Sequence, residues 1–406
     1  MITSPAATPR ELPWRLILLG GLVMAIAIGL RAGLGVVVQP YALFQGWPLA
    51  TVALAMALHN LLWGLVQPLI GGLADRHGAR GVVGAGALAF AAGLAATAWA
   101  ASPATALAGA GGAVGLGLAA ASFPVVLALV GRASPPRRQA QAMGLAIALG
   151  SCGQVVVPPV VGWLVERNGV VAALAAMAAL ALLMAPLAFG LGAGRPGRGG
   201  PVAPPPARGA LAAAWASPSY RRLVIGFFAC GFQLAFISLH LPGHLVLCGQ
   251  PAAAGGWALA AMGLFNVAGC WLFGQWGGRG SPARLLVLLY LLRALAVAIL
   301  LLAPLTPASL ALFSVLTGLT WLATVPLTSA VIARLFGTGA LGLLFGVAFL
   351  SHQLGSFAGA LAGGWAFDAT GSYRAVWAVA AGLGLLAALL HWPIVDTPPA
   401  AAPAPA

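Results

Sequence analysis

Long apolar runs alternate along the chain with short clusters of Pro, Gly and Arg, and the runs are longer than the core helices of a water-soluble domain need to be. A helix crosses the hydrocarbon core of a bilayer with about 20 apolar residues. Twelve runs reach that length: about 16–39, 51–73, 81–101, 105–131, 141–165, 170–191, 222–247, 254–276, 284–303, 308–334, 341–366 and 374–393. The break after the sixth run differs in kind. Residues 192–220 are rich in Pro, Gly and Arg, lack apolar periodicity, and read as a flexible linker. The pattern therefore predicts an all-α membrane protein: a tail over 1–14, a six-helix bundle over 15–191, the linker over 192–220, a second six-helix bundle over 221–393 and a disordered tail over 394–406.

The two predicted bundles repeat at a constant offset of 202 residues. Gly29 pairs with Gly231, Pro40 with Pro242, Gly72 with Gly274, Gly78 with Gly280, Pro124 with Pro326, Arg132 with Arg334, Gly144 with Gly346 and Gly153 with Gly355. The run from Gly162-Trp163 through Glu166 to Gly169 returns as Gly364-Trp365 through Asp368 to Gly371. Glycine matches are cheap in so Gly-rich a chain, but the Pro, Arg and Trp matches at one gap-free offset are not. They imply two pseudo-symmetric bundles of twelve transmembrane helices in all, with a solute path between them.

Composition agrees and then sharpens the picture. The chain is 61% apolar and 6% charged, whereas an ordinary soluble enzyme would carry about a quarter charged residues. Its formal charge of +14 would suggest a nucleic-acid binder in a soluble protein. Here all the basic residues are Arg, and their positions explain the charge. Fifteen fall in or beside the N-terminal tail, the linker and the loops of one side; two, Arg167 and Arg374, fall on the other; Arg31 and Arg293 lie within spans. Positive charge collects in cytoplasmic loops, so both termini are expected in the cytoplasm of a bacterial cell, with the chain in its inner membrane. No nucleic-acid partner is implied. Cys152, Cys230, Cys248 and Cys270 fall singly, without metal-ligand spacing, and no metal or other cofactor is expected. The chain has no Lys, so a phosphate-binding loop of the type that needs one is excluded, and with it ATP-driven work or enzymatic hydrolysis by that loop.

At the end of the second run stands Gly71-Gly72-Leu73-Ala74-Asp75-Arg76-His77-Gly78-Ala79-Arg80. This resembles the loop between helices 2 and 3 of the major facilitator superfamily, in residue type, spacing and position. The resemblance implies the major facilitator fold, a non-enzymatic transporter, and a gating role for Gly71, Asp75, Arg76, Gly78 and Arg80, which in the family latch the cytoplasmic side. The second-half counterpart, Gly274 to Gly280, has lost the acid, so an acidic latch of this kind is one-sided. The stretches Gly29-Leu30-Arg31 to Gln39-Pro40 and Phe349 to Ser356 are similar to the bacterial branch near the oxalate/formate exchangers and monocarboxylate transporters. Two departures follow from that comparison. The stretch Gly111 to Gly117 lacks the Arg of proton-driven drug exporters, and Asn266 and Cys270 stand where the monocarboxylate group has an Asp and an Arg.

Ionisable groups inside a span cost about 2.5–3.5 kcal/mol on insertion and each needs a reason to be there. Arg31 lies roughly 12 Å below the outer end of its run at 1.5 Å per residue, beside His59 and Asn60 at similar depth on the second run. These three are candidate ligands of an anionic substrate. Gln233, the repeat mate of Arg31, and His240 share a stripe on the seventh span; Asn266, Trp321, Thr324, His352 and Gln353 line other second-half spans and complete the candidate set. No clear carboxylate lies within a span, so His59, His240 and His352 are the candidate carriers if protons are co-transported. Arg293, on the peripheral ninth span, has no assigned role. The expectation is a monomeric secondary or facilitated transporter of a small organic anion, with monocarboxylates among the candidates and the lipid bilayer as its surroundings. The alternatives are an exporter of amphipathic compounds and a non-transporting sensor of the same fold.

Overall fold

The computed structural model describes residues 12–134, 139–192, 207–337 and 340–396. The first eleven residues, most of the expected linker (193–206), the last ten residues and the side chain of Asp75 lie outside the described residues. All regular structure among those described is helical.

Three unbroken crossings come first: α1 (Trp14–Gln45), α2 (Leu49–His77) and α3 (Ala79–Ala98). The fourth is assembled from α4 (Pro103–Ala106), a π-helical stretch (Leu107–Ala113), α5 (Val114–Ala121) and α6 (Phe123–Ala133). Next come α7 (Gln139–Leu182) and α8 (Met184–Gly190), then a short helix, α9 (Ala207–Ala216), on the way to the second half. That half contains α10 (Pro218–Leu247), α11 (Ala253–Arg279), α12 (Pro282–Leu302), α13 (Pro307–Thr320), α14 (Thr324–Phe336), α15 (Leu341–Thr370) and α16 (Arg374–His391).

By length and composition eleven stretches qualify as membrane spans, one of them 49 residues long, Ala142–Gly190. At 1.5 Å per residue that stretch would run to roughly 70 Å, more than twice a hydrocarbon core. It is two crossings. Gly169, with φ 81° and ψ 168°, adopts a conformation that a side chain would forbid, and it reverses the chain there. The crossings therefore number twelve, in two halves of six, and both described chain ends fall on one side, here termed the terminal side.

The repeat is visible in the packing. Gly153 lies against the backbone of Ala25 and Gly29 against the carbonyl of Gly153; the mates Gly355 and Gly231 lie against the backbones of Phe228 and of His352 and Ser356. Glycine at these four places lets α1 approach α7, and α10 approach α15, backbone to backbone. The fourth and tenth crossings also break at repeat-related points, at Ser122 and at Trp321–Ala323. Pro124 and Pro326 follow these breaks, and a proline cannot donate to the carbonyl one turn back.

Between the halves, α2 packs on α15 and α7 on α11. These two seams are tight from mid-membrane to the side opposite the termini. Gly364 lies against Ala50 and Ala53, Gly256 against Pro158 and Pro159, and Gly263 against Gln154; between them α1 meets α10, with Gly35 against the carbonyl of Ser238. Toward the terminal side the same helices part: Gly71, Gly72, Gly144, Gly274, Gly342 and Gly346 face open space. The space between the halves thus opens toward the termini and is closed on the far side. Residues 394–396, placed with the tail in the sequence, lie against the bundle: Asp396 is buried, accepts hydrogen bonds from Ser281 Oγ (2.8 Å) and the Ala283 amide (3.1 Å), and faces Arg334 at 3.8 Å.

Candidate functional site

Two arginines stand at mid-membrane, and their surroundings differ. Arg293, on α12, is completely buried. Its guanidinium donates to the main-chain carbonyls of Thr320 and Trp321, the latter at 3.0 Å, and to Cys230 Sγ (3.3 Å) and Gln233 Oε1 (3.4 Å). The two carbonyls are those released where the tenth crossing breaks ahead of Pro326. Arg293 therefore occupies groups that lipid could not satisfy. The first half solves the same problem with a neutral side chain: Gln67 Nε2 donates to the carbonyl of Ala119, the repeat mate of Trp321, at 3.3 Å. The residue left without a role by the sequence is a structural clamp.

Arg31, on α1, is only half-buried. Its guanidinium donates to Asn60 Oδ1 on α2 at 3.0 Å and lies 5.7 Å from the ring centroid of Trp63. Its Nε is buried with no protein partner. Arg334 and Asp396 form the ion pair seen among the described residues, so no described carboxylate balances Arg31. Asn60 is fixed from three directions. Its Nδ2 donates to the carbonyl of Met56 (2.9 Å), its Oδ1 holds Arg31, and its main-chain carbonyl accepts from Gln353 Nε2 on α15 (2.7 Å). The last bond crosses between the halves. Gln353 Oε1 in turn meets His352 Nδ1 at 2.9 Å. His352 packs against Phe227 and stacks on Phe349, which meets Trp63 edge to face at 5.6 Å. His59 is buried within electrostatic range of Arg31, and neither of its ring nitrogens has a hydrogen-bond partner.

The structure thus groups Arg31, His59, Asn60, His352 and Gln353. It places the other candidates elsewhere. Gln233 is held between Arg293 and the carbonyl of Ala380 (2.7 Å), Trp321 gives its carbonyl to Arg293, and Thr324 contacts Cys230 at 3.2 Å. All three belong to the Arg293 clamp. His240 bonds the carbonyl of Ala360 at 2.8 Å, inside the second bundle. Asn266 bridges the second seam: it donates to Ser151 Oγ on α7 (3.2 Å) and accepts from the Leu322 amide at the tenth-crossing break (3.0 Å). Of the loop group, Gly71, Arg76 and Arg80 lie on the open terminal side, with Arg80 over the ring of Phe189 at 4.2 Å; Gly78 (φ 87°) makes the turn into α3. Trp63, Phe349 and Ser151 escaped the sequence reading because aromatic and hydroxyl residues are common packing residues in apolar runs.

The family model described as the Major Facilitator Superfamily matches residues 17–327 and 251–406. An uncharacterized MFS-type transporter, YcxA, from Bacillus subtilis is 33% identical over 180 residues, 43% of this chain and 44% of its own length, so the chain spans less than half of that relative. Monocarboxylate transporter 13 of Bos taurus is 26% identical over 393 residues, covering 93% of this chain and 89% of its own. A probable anion transporter 2, chloroplastic, of Oryza sativa subsp. japonica is 30% identical over 157 residues, 37% of this chain and 29% of its own. Among solved structures, a bacterial homolog of the human lysosomal transporter Spinster, in an inward-facing and unoccupied conformation, superimposes with a TM-score of 0.73 at 15% identity, covering 94% of this chain and 97% of that one.

The clamp reading of Arg293 has a direct consequence. Arg293→Ala leaves two released carbonyls and a cavity in the second bundle and should cost about 2–5 kcal/mol of stability, seen as a lowered thermal unfolding midpoint. Solute affinity of the fraction that remains folded should be unchanged. A variant of wild-type stability that no longer binds solute would instead make Arg293 a ligand.

Proposed function

The chain belongs to the Major Facilitator Superfamily, a family of non-enzymatic membrane carriers, and from that premise we propose that it moves a small organic anion across the bilayer by alternating access. The reading rests above all on the condition of Arg31. A guanidinium keeps its charge at any physiological pH, and inside a membrane that charge needs compensation. Arg293 receives it from four protein acceptors and Arg31 from one amide oxygen; each also lies over an aromatic ring, and the Nε of each is buried without a partner. A carboxylate arriving through the open terminal side would take two of its N–H groups in the bidentate geometry that guanidinium favours. Trp63 and Phe349 would flank the apolar body of such a substrate.

The same geometry suggests how binding reaches the seam. Asn60 holds Arg31 by its side chain and Gln353 of the other half by its main chain. An anion competing for Arg31 therefore acts on the residue that joins the halves. His59, beside Arg31, is the candidate histidine with neither ring nitrogen bonded, whereas His240 and His352 each have one nitrogen on Ala360 or Gln353. An anion on Arg31 places negative charge beside its imidazole, and a proton there would balance it.

The names of the bovine and rice relatives support the anion class, and monocarboxylates within it. We place the protein near the oxalate/formate exchangers and monocarboxylate transporters, as a monomer in a bacterial inner membrane, with the arginine-rich terminal side in the cytoplasm. An exporter of amphipathic compounds would be expected to turn Arg31 away from the space between the halves. Its bond to Asn60, itself held by the opposite half, speaks against that alternative.

Arg31→Ala should weaken carboxylate binding about 10- to 100-fold, the worth of one charged hydrogen-bonding group, measured by ligand-dependent thermal stabilisation and counterflow in proteoliposomes across a panel of monocarboxylates, dicarboxylates, neutral solutes and lipophilic cations. Unchanged affinity in folded protein removes Arg31 from the binding site. In the same vesicles, His59→Gln should abolish uptake driven by an imposed pH gradient while leaving counterflow intact. Persistence of the gradient response would rule His59 out as the proton carrier.

A further inference from the structure

The helix α2 begins without a cap of its own. It is preceded by Trp47-Pro48, and Pro48 offers no side-chain acceptor to the first amides of the helix. Those amides are nevertheless occupied. Leu49 N–H donates to Asp368 Oδ1 at 3.0 Å and Ala50 N–H to Asp368 Oδ2 at 2.7 Å. Asp368 belongs to α15, in the other half of the molecule, on the side opposite the termini. The approach is made possible one turn earlier on α15, where Gly364 lies against Ala50 and Ala53.

Asp368 is badly placed on its own helix. It sits in the last turn of α15, which contains no basic residue, at the end where the helix dipole disfavours an acid. The N-terminus of α2 is the reverse case: orphan amides and a favourable field for negative charge, with no local acceptor. Each defect is corrected by the other only while the two halves touch here. When they part, Asp368 returns to an unfavourable helix end and α2 loses its cap, so the contact favours one conformation over the other and is more than a local fastening.

We propose that Asp368 is a latch that holds the side opposite the termini closed by capping α2 across the interface between the halves. The repeat mate of Asp368, Glu166, makes no hydrogen bond among the described residues, and α11 also starts without a side-chain cap, so the second seam lacks this latch. On the terminal side the last turn of the same α2 contains Asp75, and α15 starts there without a side-chain cap. The antiparallel pair α2 and α15 therefore carries an acid near each end, and Asp368 is the one at the closed end. This inference rests on the alternating-access reading and adds to it the group that sets the balance between the two openings.

Hydrogen–deuterium exchange of the full chain in lipid nanodiscs tests it. Asp368→Asn keeps an oxygen acceptor and removes the charge, and Asp368→Ala removes both. The latch predicts a reciprocal change in both variants: faster exchange at 34–40, 235–243 and 359–366 on the far side, and slower exchange at 66–77 and 341–349 on the terminal side. The population shift should be roughly tenfold for loss of a charged cap. Adding Pro48→Ser to Asp368→Ala gives α2 a cap of its own without restoring the bridge, and the reciprocal pattern should persist. A change confined to residues 49–52, or one that Pro48→Ser reverses, would make Asp368 a helix cap and nothing more. Gly364→Leu, a wedge against Ala50 and Ala53, separates the two ideas. If the wedge produces the reciprocal pattern and the Asp368 variants do not, the latch is wrong and alternating access stands; if neither produces it, both are wrong.

Discussion

Inside a bilayer a polar group that the protein does not satisfy stays unsatisfied, and this constraint organises the whole molecule. Two of the twelve crossings break ahead of repeat-related prolines, and each break frees a main-chain carbonyl in a dry place. The first half meets the need with Gln67 on Ala119; the second uses Arg293 on Thr320 and Trp321 and recruits Gln233, Cys230 and Thr324 around the guanidinium. Once the second-half polar residues are committed in this way, few remain to meet a solute. His352 and Gln353 do, and they face the first-half cluster around Arg31.

That asymmetry gives the site its character. Arg31 is the mid-membrane charge with a single hydrogen-bond acceptor where Arg293 has four, and its partner Asn60 is also the point at which α2 is tied to α15 by Gln353. A solute anion therefore meets the charge and the seam together. The two seams are not equal. One is joined by Gln353 to Asn60 and by Asp368 to the start of α2; the other by Asn266 to Ser151, with Asn266 also holding the Leu322 amide at the break of the tenth crossing. Both seams carry their polar bonds between mid-membrane and the closed side, with open space beyond toward the termini.

Much of the architecture was legible in the sequence because it depends on spacing alone. Twelve apolar runs and a constant offset of 202 residues anticipated two bundles, and the glycine mates at 29 and 231, and at 153 and 355, recur as the same close helix contacts. Boundaries were less legible. The first apolar run ends near 39, yet α1 continues to Gln45, because Tyr41 and Gln45 satisfy their polar ends on the carbonyls of Thr97 and Ala100. The site was legible where a charge interrupts an apolar run, as at Arg31, and illegible where the partner is main chain. Nothing in the residue types says that Gln353 will reach the carbonyl of Asn60, that Arg293 will end on carbonyls, or that Asp368 will cap a helix of the other half. Gln233 shows the limit of the repeat as a guide: it occupies the place of Arg31, but Arg293 and Ala380 have claimed it.

The central claim is that Arg31 offers its unused hydrogen-bonding capacity to an anionic solute at the point where the halves are joined. An experimental structure of the protein with a bound monocarboxylate tests this most directly. The account predicts the carboxylate within hydrogen-bond distance of the Arg31 guanidinium, with the bond from Arg31 to Asn60 Oδ1 broken or shared and the substrate body between Trp63 and Phe349. A carboxylate bound elsewhere, with Arg31 still holding Asn60 as it does without solute, would contradict it.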